Sequence, residues 1–221
     1  MNGDATFVAP ATPFGHSGIA VVRLNGPLSK EIITKLAKNI LVEPRTPKLT
    51  KLYSKNGHLI DECMVTRFDA PASYTGDDMI EISCHGNPIL VESIIKTINE
   101  CGARLAEPGE FTKRAFINGK LDLLQAEAIG ALIKSKSSSA ARINQQTLNG
   151  ALSKTLKIAR ATLIDVSAKI EHSIDISELE ILDTFYKECA SQIDIACLLY
   201  TSDAADEGLG VDLGGRSIIK K

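Results

Sequence analysis

Cys84 and His85 are adjacent in the chain, a thiol nucleophile beside a general base. The run Met79–Cys84 reads as a strand, and neighbours on a strand point to opposite faces, so the two cannot easily form a base–thiol pair. With Cys63, Cys101, Cys189 and Cys197 the cysteines number five, and none are spaced Cys-x-x-Cys. That pattern favours reduced thiols over a disulfide scaffold or a zinc site. His16, His58, His85 and His172 are scattered without metal-ligand spacing. No Gly-x-x-x-x-Gly-Lys-Ser/Thr occurs, so the loop that wraps backbone N–H groups around nucleotide phosphates is not found and GTP binding is not expected.

Charge is unevenly placed. The net charge is −2, which gives the whole molecule no signature of a nucleic-acid binder. Yet Ala128 to Ile164 holds six basic residues, Lys134, Lys136, Arg142, Lys154, Lys157 and Arg160, and no acidic one. From Asp165 to Asp194 acidic residues dominate. The basic stretch is either a solvated helix face or a surface for RNA phosphates. The hydrophobic fraction of 44% suffices for a core. No membrane span and no signal peptide are read, so a cytoplasmic, membrane-free setting is expected.

These residues need elements to position them. Thr6–Ala9 and Ile19–Leu24 are short apolar runs bounded by Pro and Gly, hence strand candidates. Ser29 is placed to cap a helix whose apolar positions Ile32, Ile33, Leu36 and Ile40 recur at helical spacing. Asn56-Gly57 joins Lys51–Lys55 to His58–Phe68 as a hairpin. Pro88–Glu100 is a helix that Gly102 closes at C′. The mixture predicts an α+β domain with helices packed on a sheet. After Gly119 the pattern is all helical. Asp122 and Gln125 form a capping box ahead of a helix over Ala126–Lys136. Ser137 or Ser138 starts a second, much longer one. Its stripe is Leu148, Leu152, Leu156, Ala159, Leu163, Val166 and Ile170, read as core packing in a helical bundle rather than a coiled-coil seam.

Three blocks then carry a family resemblance. They are Ala11-Thr-Pro-Phe-Gly-His-Ser-Gly-Ile-Ala-Val-Val-Arg-Leu-Asn-Gly26, Ala70-Pro-Ala-Ser-Tyr-Thr-Gly-Asp-Asp-Met-Ile-Glu-Ile-Ser-Cys-His-Gly86, and Glu107-Pro-Gly-Glu-Phe-Thr-Lys-Arg-Ala-Phe-Ile-Asn-Gly-Lys-Leu-Asp-Leu-Leu-Gln-Ala-Glu-Ala-Ile129. In this order they resemble the MnmE (TrmE) family, GTPases that modify carbon 5 of the wobble uridine in certain tRNAs. The resemblance implies residues 1–119 as a folate-binding and dimerisation domain of TrmE-N type and 120–196 as a partial helical domain. Residues 197–221 depart from the family, have no helical stripe and resemble translated adapter sequence, so they are expected to be non-native or disordered.

What the resemblance implies about chemistry is specific. The cofactor is a reduced folate, 5-formyltetrahydrofolate. GTP, Mg2+ and K+ belong to a G domain that the matched region lacks. The partners are a second copy, the flavoprotein MnmG (GidA), and tRNA through that complex. Arg23, Glu81 and Lys120 match the family's folate-binding positions, and no residue is assigned a catalytic role. A carboxylate can accept from the N–H donors of a pterin ring, and Arg and Lys can hold the glutamyl carboxylates. The alternation Ile80-Glu-Ile82 alone places Glu81 on the solvent face of its strand. The family loop Gly-Arg-Gly-Gly is Gly15-His-Ser-Gly18 here, one Arg and one Gly fewer. A stand-alone folate-dependent aminomethyltransferase is the alternative reading.

Overall fold

The computed structural model describes residues 5–40, 42–175 and 183–208. It divides into two compact units, Met1–Leu121 and Asp122–Lys221.

The first unit is a six-stranded sheet with helices against it. Its strands are β1 (Phe7–Pro10), β2 (Ser17–Asn25), β3 (Lys48–Tyr53), β4 (Leu59–Phe68), β5 (Met79–Gly86) and β6 (Arg104–Leu105). The spatial order is β3-β4-β5-β2-β1-β6. All neighbours are antiparallel except β1 and β6. Alternation gives the sheet one apolar face: Val8, Val22, Leu24, Leu52, Val65 and Ile82 are fully buried there. Against that face pack α1 (Ser29–Leu36) through Ile32, Ile33 and Leu36, and α2 (Pro88–Glu100) through Val91, Ile94 and Ile98. The opposite face carries Phe7, Arg23 and Glu81. Part of it is covered by α3 (Glu110–Ile117), whose Phe111 meets Phe7 edge to face at 5.0 Å.

The hairpin between β3 and β4 forms where Asn56-Gly57 predicts it, with Gly57 at φ +81°. The helix over Pro88–Glu100 has the predicted bounds; Asn87 caps it and Gly102 follows at φ +106°. Ser29 differs from expectation. It is the first residue of α1, and its hydroxyl donates to the carbonyls of Gly26 and Asp78 instead of capping an N–H. The strand β6 escapes a periodicity reading because two residues cannot show a period.

The second unit holds α4 (Leu123–Ile133), α5 (Ser138–Leu148), α6 (Ala151–Asp175) and α7 (Asp183–Gly208). The capping box of Asp122 and Gln125 is formed, and it starts α4 three residues before the expected Ala126. The one long helix expected after Ser137 is two helices. Gly150 sits at φ +84°, a left-handed conformation that ends α5 and separates it from α6. Leu148 therefore belongs to a different helix from the rest of its stripe. Of the α6 positions, Ala159 and Val166 are buried while Leu163 stays half exposed. Of the tail set apart in the sequence, residues 197–208 continue α7 and residues 209–221 lie outside the described residues.

No helix among the described residues is long and apolar enough to cross a membrane.

Candidate functional site

Strand register places Arg23 directly opposite Glu81, β2 against β5. On the second face of the sheet their side chains meet, Arg23 Nε donating to Glu81 Oε1 at 2.8 Å. Both remain partly open, with side-chain exposures of 34% and 27%. The Glu81 carboxylate thus keeps acceptor capacity toward solvent, and the guanidinium keeps donors beyond Nε. Arg23 also lies over the ring of Tyr74, 5.7 Å from its centroid, within range of a cation–π contact.

Beside this pair is a cavity of about 310 Å³. Arg23 forms one wall, Pro10 and Ala11 at the end of β1 a second, and Glu107, Gly109 and Phe111 a third. The third wall is fixed by its own chemistry. Glu110, at the start of α3, accepts from the Glu107 N–H at 2.7 Å and pairs with both terminal guanidinium nitrogens of Arg104. Arg104 first, and the Glu107 N–H with it, hold the Glu110 carboxyl below its ordinary range against the opposing effect of burial. Gly109, at φ +74°, makes the turn into α3.

Lys120 is placed by a different network. Its Nζ donates to the Pro71 carbonyl at 3.2 Å. Asp77 sits at the centre of the loop that presents Pro71 and Tyr74. It accepts from Asn25 at 3.0 Å and Asn118 at 2.8 Å, and pairs with Arg114 at 3.3 Å. Asn118 donates to the Thr75 carbonyl as well, at 2.8 Å. Tyr74 in turn shares a hydrogen bond with Thr112 of α3 at 3.1 Å. The structure therefore brings Arg23 and Glu81 into contact, and attaches Lys120 to the loop that also carries Tyr74.

Sequence reasoning missed Tyr74, Asp77, Glu107 and Phe111. Each lies inside or beside a motif block, but no periodicity marks them, because loops and turns position them. Asp61 was missed too. It accepts from the His85 N–H at 2.9 Å and meets the ring Nδ1 at 2.7 Å. Cys84 is buried while the His85 ring is open, so the two face apart as strand alternation requires. Among the described residues no three His, Cys, Asp or Glu side chains gather as a metal site.

The comparisons with known proteins agree with this division of the chain. The family model of the GTP-binding protein TrmE N-terminus matches residues 6–120. That of the MnmE helical domain matches residues 123–198. The tRNA modification GTPase MnmE of Fervidobacterium nodosum is 44% identical over 180 residues, 79% of this chain and 39% of the relative. The Aquifex aeolicus protein of that name is 43% identical over 187 residues, 84% of this chain and 42% of the relative. The Legionella pneumophila (strain Paris) protein is 43% identical over 176 residues, 80% of this chain and 40% of the relative. The chain spans about two-fifths of the length of these relatives. With a TrmE-type sheet unit followed by an MnmE-type helical unit, the chain belongs to the MnmE (TrmE) family of tRNA modification GTPases, of which it carries the N-terminal and helical regions.

Proposed function

We propose that this chain is the folate-binding and dimerising part of a protein that modifies carbon 5 of the wobble uridine in tRNA, with 5-formyltetrahydrofolate as one-carbon donor or its analogue. The observation that carries the reading is Arg23, which lines the 310 Å³ cavity and is paired with Glu81. A carboxylate with spare acceptors next to a guanidinium with spare donors is a mixed edge, and a pterin ring offers a mixed edge of N–H donors and a carbonyl.

The walls also suggest an orientation. A volume of about 310 Å³ is at the small end of ligand pockets, enough for a ring but not for a whole folate. Glu107 on its wall repels carboxylates, so the ring enters and the glutamyl tail stays outside. Arg23, bound to Glu81, reads the same end of the ligand as that carboxylate does. This leaves Lys120, exposed and with one protein acceptor at Pro71, as the cation for the tail. The reduced folate supplies a one-carbon unit when bound; the residues here bind and orient it.

Dimerisation fits the same sheet face. Leu49, Met64 and Ile19 lie on it with exposures of 59%, 38% and 65%. Leu49 and Met64 are cross-strand partners, and Met64 is paired to Ser83 of β5. Exposed apolar side chains on one sheet face suit contact with a second copy. Nucleotide hydrolysis, with Mg2+ and K+, and the partnership with the flavoprotein MnmG in the cytoplasm belong to the proposal for the whole protein. No residue described here is assigned to them.

Isothermal calorimetry with 5-formyltetrahydrofolate tests the reading. Saturable binding that Arg23→Ala and Glu81→Ala both weaken is the expected result. Absence of binding, or binding indifferent to both substitutions, overturns it.

A further inference from the structure

We infer that the N-terminal half of α6 is a docking surface for the phosphodiester backbone of RNA. The inference rests on the tRNA-modification reading above and says which surface of this chain meets that substrate.

All six basic side chains between Ala128 and Ile164 are exposed. Among the described residues none of them forms an ion pair with a carboxylate. The sheet unit differs in carrying acid-matched cations beside others that have no carboxylate partner among the described residues. There Arg23, Lys30, Lys35, Arg67, Arg104 and Arg114 are each matched to an acid. Farther along α6 itself, Lys169 is matched as well, to Asp165 at 2.8 Å. An ordinary solvated helix face carries interleaved charges of both signs, as that part of α6 does. The earlier part carries one sign only.

Geometry concentrates three of the six. Lys154, Lys157 and Arg160 follow one another at i, i+3 and i+6 within α6. That spacing puts them on one side of the helix within an arc of roughly 120° and a rise of about 9 Å. Lys154 and Lys157 border an open groove of about 460 Å³ with Gln125 and Asp122 of the α4 start. Asp122 borders the same groove, caps α4 through the Gln125 N–H at 3.0 Å, and feels the Lys157 charge without closing an ion pair with it. Lys134 and Lys136 after α4, and Arg142 within α5, are three further exposed cations of the same unit. Unmatched cations without an aromatic platform bind by counterion release, which needs a polyanion of closely spaced charges and reads no sequence. RNA has such a backbone.

The test is fluorescence anisotropy of a labelled transfer RNA titrated with the full chain over a range of KCl concentrations. Three proteins are compared: wild type, the triple variant Lys154→Gln/Lys157→Gln/Arg160→Gln, and Lys169→Gln as a control on the same helix. Circular dichroism verifies helix content in each. The expected result is a salt-dependent wild-type affinity. The triple variant should lower the slope of log K against log salt by roughly 2–3, with affinity reduced about tenfold or more at low salt. Lys169→Gln should change neither. A triple variant that binds RNA with the wild-type slope overturns the surface and leaves the tRNA reading intact. So does an equal effect of Lys169→Gln, which would reveal a generic response to net charge. Wild type that ignores RNA but binds vesicles of phosphatidylserine overturns the inference in favour of a membrane surface. Folate calorimetry on the same preparations reports separately on the pocket. If the triple variant fails to fold, Lys157→Gln and Arg160→Gln singly, each expected to lower the slope by roughly 0.7–0.9, decide the matter.

Discussion

Arg23 and Glu81 hold each other across β2 and β5 at 2.8 Å, so each charged group is oriented before a ligand arrives. Pre-organisation of this kind saves side-chain ordering on binding. It also means that neither residue can be removed without disturbing the other.

Glu81→Ala should therefore weaken 5-formyltetrahydrofolate by on the order of 1.5–3 kcal/mol, roughly ten- to a hundredfold in Kd. Glu81→Gln, which keeps an acceptor oxygen for Arg23, should cost less. Lys120→Ala should cost about 0–1 kcal/mol, because a solvated cation adds little to a ligand carboxylate. Calorimetry on the three variants checks the order. Equal losses for all three would contradict the division between ring and tail.

Asp77 is predicted to support the pocket without touching it. Its carboxylate accepts from Asn25 and Asn118 and pairs with Arg114, tying the Pro71–Tyr74 loop to α3 and β2. Asp77→Ala removes a charged acceptor from these groups, at a cost of on the order of 1.5–3 kcal/mol in stability. Chemical denaturation should show that loss, and near-ultraviolet circular dichroism should show loosening at Tyr74. An unaltered denaturation midpoint would show that the loop is held by other contacts.

Much of the fold was legible because periodicity and punctuation agree. Asn56-Gly57, Pro88 with Gly102, and the Asp122–Gln125 box each have one structural use, and each is used that way. The break at Gly150 was misread because the apolar stripe runs across it from Leu148 to Leu152, and hydrophobic spacing outweighed a single glycine. Tyr74 and Glu107 were unreadable for another reason. Their positions depend on the loop hydrogen bonds of Asp77 and Glu110, which join residues tens of positions apart or hide within a turn. The register of Arg23 against Glu81 was likewise invisible until β2 and β5 were known to be neighbours.

Asp61 gives the molecule an acid-sensitive tie. Burial pushes its carboxyl up, but the His85 N–H, the His85 ring and the Glu62 N–H together leave it below its ordinary range. A folded-state pKa below the unfolded value of about 3.9 stabilises the fold at higher pH. That contribution is complete above about pH 5 and is lost as pH falls through the folded value. Asp61→Asn should therefore lower stability at pH 7 and flatten the acid limb of the stability curve. Urea midpoints for wild type and variant should converge as pH falls through the folded value. Parallel curves across that range would show that Asp61 does not titrate with folding.

Two glycines in the helical unit should respond to alanine with opposite sign. Gly150 holds φ +84°, where an L-residue is strained. The nearest atom to an added Cβ is Gln125 Nε2 at 3.6 Å, an ordinary contact, so the cost comes from the backbone. Gly150→Ala should destabilise by about 1–2 kcal/mol. Gln125 also donates to the Leu148 carbonyl at 2.9 Å, so strain at the turn should reach the start of α4. Gly130 lies inside α4, with nothing within 4 Å of an added Cβ. Gly130→Ala should stabilise by roughly 0.5–1 kcal/mol through helix propensity alone. Urea denaturation followed by circular dichroism at 222 nm measures both. If Gly150→Ala is neutral, α5 and α6 can join into one continuous helix, and the break between them is not fixed by the glycine.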